Sequence, residues 1–401
     1  MTAAPKSFLN SKAFLVGIVA GLVACSIWAR HVTHNGFHRE FTRFHVKISP
    51  EAQYYPTIEE MRGIVRSRCK PNQILVLVGG NSIFHGVGQP VGKLWTEELQ
   101  RLLGPEYAVV NLAFRGAACT DGGALVAESL RREFPRQLYV ANTAPLTAPD
   151  PIGVETYRYL LWQARTFGLL EEFPPRERRL REFISAEYSL ATRFANFGAE
   201  WLDRVLRYRD LWNWVSFRHV FTVQSPYTTK LPEAVWPRGQ FKDEETDYDW
   251  FDAARRYPDQ TREAEMAIVR GFSAAYFQGQ PDGSWQVNRQ HLDDFAKAAK
   301  IAFPDDLKAR TLIMLSRNSP HYRKFLSSEE RARDDLAYAE GIMAWRSAGY
   351  SSAEYGVDFD EMDFGDRTHL AASGGRKLAA VVAHELKRMA AELNYFQTPA
   401  S

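Results

Sequence analysis

The chain has 401 residues, with 50 Lys and Arg against 48 Asp and Glu, a formal net charge of +2. Hydrophobic residues make up 45% and charged residues 24%, ordinary globular values that exclude a mostly disordered, fibrous or multi-pass membrane chain. Near-zero charge provides no broad basic field for nucleic acid, and three cysteines exclude a disulfide scaffold. No paired CxxC or HExxH spacing marks a metal site, and no cofactor is expected.

The amino end is a different kind of sequence. The first acidic residue is Glu40, and Ala13 to Ala29 is an uncharged run preceded by Lys6 and Lys12. A helix needs about 17–25 apolar residues to span a bilayer. Three readings compete: a signal-anchor helix over residues 13–29 after a cytoplasmic tail (1–12), a cleaved secretory signal, and a lipoprotein signal. The last rests on Leu22-Val23-Ala24-Cys25, which has the form of a bacterial lipobox with Cys25 as the lipidated residue. Charge does not fix orientation, because Arg30, Arg39, Arg43 and Lys47 follow the segment. Residues 30–70 read as a linker and lead-in helix. Cys69 and Cys119 are open to two readings, a disulfide on an oxidising side of the membrane or two buried thiols.

From Ile74 the chain alternates β-rich runs with helical patterns, the signature of a parallel α/β sheet. Ile74–Val78 is the first expected strand, an unbroken apolar run as in a strand covered on both faces. A helix is expected over Val91–Leu103, a second strand over Ala108–Leu112 and a second helix over Gly122–Arg132. Gln137–Ala141 is the third strand and Thr311–Leu315 the fourth. A helix over Glu329–Ala348, a fifth short strand near Tyr355–Phe359 and a final helix over about Gly375–Leu393 complete the pattern. Residues 150–307 are too long for a crossover and read as an inserted helical subdomain, splitting the sheet domain into residues 71–149 and 308–395 before a tail (396–401). Within the insertion, Trp201, Trp212 and Trp214 read as core packing or as the wall of a substrate groove.

The first strand runs into Gly79-Gly80-Asn81-Ser82. A serine at the carboxyl end of a parallel strand sits where open α/β sheets place ligands, and a tight turn aims backbone N–H groups at a developing oxyanion. Serine needs a base to become a nucleophile. Near the other end, Asp366-Arg367-Thr368-His369 lets the Asp366 carboxylate accept from His369 Nδ1 while Nε2 faces the serine.

Taken together these blocks resemble the SGNH/GDSL hydrolase superfamily over roughly residues 72–145 and 308–390. GGNSIFHG matches the first block, with Ser82 as nucleophile and Asn81 where the family has Asp. VVNLAFRGAACT matches the second through Gly116, VANT the third through Asn142 alone, and DRTHLAASGGRKLA the last through Asp366 and His369. The resemblance implies a flavodoxin-like three-layer α/β/α parallel sheet. It also implies an oxyanion hole from the N–H groups of Ser82 and Gly116 and the Asn142 amide. A membrane-tethered domain of this kind with a long insertion is similar to the D-alanylation proteins of teichoic acids and to alginate O-acetylation proteins. The similarity implies a serine esterase or O-acyltransferase of the bacterial inner membrane, its catalytic domain periplasmic, with a polysaccharide substrate and a membrane-bound O-acyltransferase as partner. The alternative is a catalytically silent glycan-binding or assembly component, kept open by Asn81, Val140 and Thr143, which depart from the family pattern. Asn318 and His321, after the fourth strand, are further candidates for the substrate pocket together with Asn81.

Overall fold

The computed structural model describes residues 11–32, 56–145 and 257–396, except 91, 121, 258, 275 and 283. It also describes 43, 46, 47, 53, 54, 190, 191, 194, 197, 198, 201 and 202. Helix α1 (Ser11–Val32) contains the apolar run. Its stretch Lys12–Ala29 is long and apolar enough to cross a membrane, and Phe14, Leu15, Val19, Val23 and Ile27 are exposed along it. The helix fits a signal anchor or a signal peptide.

Helix α2 (Ile58–Arg68) opens on a capping box. Thr57 accepts from the Glu60 N–H, and the Glu60 carboxylate accepts from the Thr57 N–H. Its Ile58, Met61, Ile64 and Val65 form one buried stripe. Strand β1 (Ile74–Val78) is buried throughout. Helix α3 (Trp95–Leu103) starts later than its apolar pattern suggests. Leu94 has extended backbone, and its N–H is taken by the Glu97 carboxylate (3.2 Å), so the first turn begins at Trp95. Gly104, at φ +90°, ends it. Strand β2 (Tyr107–Asn111), helix α4 (Gly122–Leu130) and strand β3 (Gln137–Thr143) follow.

The described carboxyl-terminal part of the insertion is not purely helical. Between α5 (Arg262–Ala274) and α6 (Arg289–Ile301) stands an antiparallel hairpin that pairs Phe277–Gly279 with Trp285–Val287. Strand β4 (Thr311–Ser316), helix α7 (Ser328–Ser347), strand β5 (Ser351–Tyr355) and helix α8 (Ala372–Glu392) close the chain. The fifth strand therefore lies four residues before the expected Tyr355–Phe359. Gly356, at φ +96°, turns the chain immediately after Tyr355.

The five strands are all parallel in the order β2-β1-β3-β4-β5, a doubly wound arrangement. Alternate β1 residues feed two cores. Leu75 and Leu77 pack among side chains of α2, α4, α6 and α7. Ile74, Val76 and Val78 pack with Trp95, Leu99, Leu378, Val382 and Leu386 of α3 and α8 on the other face. Each fully buried Leu, Ile or Val contributes about 1.5–3 kcal/mol, enough to hold the loops at the carboxyl edge on a rigid base. Cys69 and Cys119 are buried and are not joined in a disulfide.

Candidate active site

The site is built where β1 and β2 end and where the loop before α8 returns to the same edge. After β1 the backbone must pass close to β3. A Cβ on Gly79 would overlap the Tyr139 hydroxyl, and one on Gly80, at φ +95°, would overlap the Asn142 carboxamide. Only glycine fits either position. Asn81 then caps a one-turn helix, Ser82–His85, by accepting the Ile83 N–H (3.0 Å). The turn ends at Gly86, at φ +87°. The cap needs only a side-chain oxygen, which Asn81 supplies.

The turn is tied to β2 on its far side. Asn111 Nδ2 donates to the Phe84 carbonyl (3.2 Å), its Oδ1 accepts the Ala113 N–H (3.1 Å), and the Phe114 N–H donates to the Gly80 carbonyl (3.1 Å). Gly116 follows at φ +75°. Among the described residues, the backbone N–H groups of Ser82 and Gly116 have no acceptor. For Ser82 this follows from its place in a first helical turn.

Asp366 and His369 lie on a short closed loop. The Gly365 N–H donates to the His369 carbonyl (2.7 Å), and Phe364 pairs with Leu370. Asp366 Oδ1 accepts the N–H groups of Thr368 (2.8 Å) and His369 (2.7 Å), while Oδ2 lies 2.7 Å from His369 Nδ1. His369 Nε2 is 2.7 Å from Ser82 Oγ. Burial alone would push the Asp366 carboxyl up, but the hydrogen bonds from His369 and the charge interaction with it hold it below the usual carboxylate range. An ionised carboxylate only accepts, so a proton sits on His369 Nδ1; in the neutral ring Nε2 then accepts from the serine hydroxyl. The loop is held to the nucleophile turn by Gln89, fully buried, which donates to the Leu370 carbonyl (3.3 Å) and accepts the Trp95 N–H (2.8 Å).

Asn142 stands beneath the turn, almost fully buried. Its Oδ1 accepts the Asn81 N–H (3.1 Å), and its Nδ2 donates to Asn81 Oδ1 (2.9 Å) and Ser316 Oγ (3.2 Å). Ser316 Oγ in turn lies 2.6 Å from the Tyr355 hydroxyl. Both Asn142 N–H bonds are therefore engaged, and this amide reaches an oxyanion only by releasing one of them. Its geometry is that of a brace under Asn81.

Asn318 and His321 are placed behind the His369 loop. Asn318 Oδ1 accepts from Arg367 (2.9 Å), and His321 stacks on Tyr257 at 4.0 Å with Nδ1 3.3 Å from Glu361. Trp201 is exposed, and Trp212 and Trp214 lie outside the described residues. Sequence reading missed Gln89, Asn111, Ser316 and Tyr355, which support the site. Ser316 and Tyr355 had one usable signal, a polar residue closing each strand at the edge where the loops gather.

No protein-family model matches the chain, and no curated protein matches it.

Proposed function

We propose that the protein is a serine esterase or O-acyltransferase of the SGNH/GDSL type. The observation that carries this reading is the unbroken chain Ser82 Oγ···Nε2 His369 Nδ1···Oδ2 Asp366, both gaps 2.7 Å. A domain that only binds glycan has no use for a carboxylate aligned behind a histidine that faces a serine. As Ser82 Oγ attacks an ester carbonyl, His369 Nε2 takes its proton, and Asp366 stabilises the imidazolium. The tetrahedral oxyanion is held by the N–H groups of Ser82 and Gly116. His369 then returns the proton to the leaving alcohol, giving an acyl-serine. Water, or an acceptor hydroxyl, loses its proton to His369 and attacks the acyl carbon; the acyl–Oγ bond then breaks, and His369 returns that proton to Ser82 Oγ, releasing the acid or the new ester.

The apolar α1 supports a membrane anchor or signal, and the resemblance to envelope acyl-transfer proteins supplies the rest of the setting, an inner membrane with the domain on the extracytoplasmic face, or a lipid on Cys25 in place of the anchor. The substrate on this reading is an O-acylated, or acyl-accepting, envelope polysaccharide, with a membrane-bound O-acyltransferase as partner. The test is fluorophosphonate labelling of the full chain in detergent. Wild type is expected to label and Ser82→Ala to be blank. Equal labelling of both overturns the nucleophile assignment.

A further inference from the structure

The loop that carries Asp366 and His369 is gripped from outside the sheet domain by the insertion. Arg367, between the two catalytic candidates, donates through Nε to Glu265 of α5 (2.7 Å) and through Nη1 to Asn318 (2.9 Å). The Ser319 N–H donates to the Arg367 carbonyl (2.8 Å). The same end of the insertion is fixed twice more. The Tyr257 hydroxyl lies 2.7 Å from Ser319 Oγ and donates to the Glu361 carbonyl (2.8 Å), while Met266 and Val269 of α5 pack with Tyr322 and Leu326. Glu265 and Arg367 are both mostly shielded from solvent, with side-chain exposures of 31% and 17%, so the pair is held in one geometry.

We propose that Glu265 is a positioning residue: through Arg367 it sets the reach of His369 toward Ser82, which makes the insertion part of the catalytic apparatus. This rests on the serine-hydrolase reading above. Reach matters because a displacement of about 1 Å at a reacting group costs on the order of 100-fold in rate. Asp366 and His369 hydrogen-bond mainly within their own loop, so the loop's placement is set by what holds it from behind.

The experiment compares the full-length wild type with Glu265→Ala, Glu265→Gln and, as control, Glu330→Gln. The control reduces the ion pair of Arg270 (2.9 Å), further along the same helix, to a neutral hydrogen bond, the same chemical change as Glu265→Gln at a site away from the His369 loop. Two readouts are taken, amide hydrogen exchange at Thr368 and His369, and the rate of fluorophosphonate labelling with kcat and KM for a p-nitrophenyl ester. Glu265→Ala is expected to speed exchange at both amides and to lower labelling and kcat by about 10–100-fold with KM held. Glu265→Gln, which keeps an acceptor oxygen, falls between, and Glu330→Gln matches wild type. If Glu265→Ala does not fold, Glu265→Gln alone carries the comparison. Exchange or labelling at the wild-type level in the folded variants overturns the proposal. A wild type that does not label, with exchange still responding to Glu265, sinks the hydrolase reading and leaves the grip of the insertion on the loop intact.

Discussion

Two aspartates at the same edge of the sheet meet opposite fates. Asp366 and Asp334 are both drawn up by burial, yet Asp366 ends below the usual carboxylate range and Asp334 above it. Asp366 gains hydrogen bonds from the His369 ring and from the His369 and Thr368 N–H groups. Asp334 has two cations, Arg317 (3.3 Å) and Arg323 (2.7 Å), which it shares with Asp335, while Glu354 also claims Arg317 (2.7 Å). The Asp335 carboxylate beside Asp334 adds a like charge that opposes its ionisation, whereas the groups acting on Asp366 are donors aimed at it. The first arrangement leaves a polarised histidine facing a hydroxyl. The second binds the β4–α7 connection to α7 and β5 and leaves nothing to react.

The comparison breaks first at Ser82 and His369. Replacing either with Ala is expected to lower ester turnover by on the order of 10⁶-fold, since such residues act as a unit; steady-state rates with a p-nitrophenyl ester check this. Asp366→Asn should cost on the order of 10⁴-fold in kcat, because an amide in place of the carboxylate favours the wrong histidine tautomer. Arg317→Met should do the reverse, costing about 1–3 kcal/mol in urea unfolding because Glu354 loses this cation and Asp334 and Asp335 keep only Arg323, while the folded fraction keeps its turnover. Acid sharpens the contrast. The depressed Asp366 contributes stability above its ordinary range near pH 4 and loses it as pH falls through the folded-state value. The deficit of Asp366→Asn against wild type in denaturant midpoint should therefore be full at pH 7 and shrink on acidification. The smallest effect is expected at Tyr355→Phe, which removes the hydroxyl beside Ser316. About 1 kcal/mol of stability should go, with a few-fold loss of turnover as the brace under Asn81 slackens.

What the sequence revealed divides along physical lines. The sheet was legible because β1, β3 and β4 are apolar runs with few other uses, and the Asp366–His369 pair because its parts lie three residues apart. Strand β5 was displaced because Ser351–Tyr355 alternates small and polar residues at a sheet edge, a weaker pattern than its aromatic neighbours. The start of α3 was placed early because a leucine cap holds its turn through backbone and Glu97 alone. The contact of Asn142 with Asn81 and Ser316 joins three strands, and only their register brings it about. Glu265 was hidden for the same reason: its partner lies 102 positions away, and no local pattern connects them.

The hydrogen bond between Ser82 and His369 spans 287 positions, and Gln89 reaches Leu370 over a similar separation. A ribosome adds about 5–20 residues per second, so the hydroxyl is made roughly 15–60 seconds before the imidazole that would arm it. Throughout that interval the nascent chain carries the serine hydroxyl with no base to take its proton. The Ser82–His369 pair forms only when the last part of the sheet domain has been made and α8 has closed against α3, so on the proposed reading synthesis itself delays the onset of chemistry.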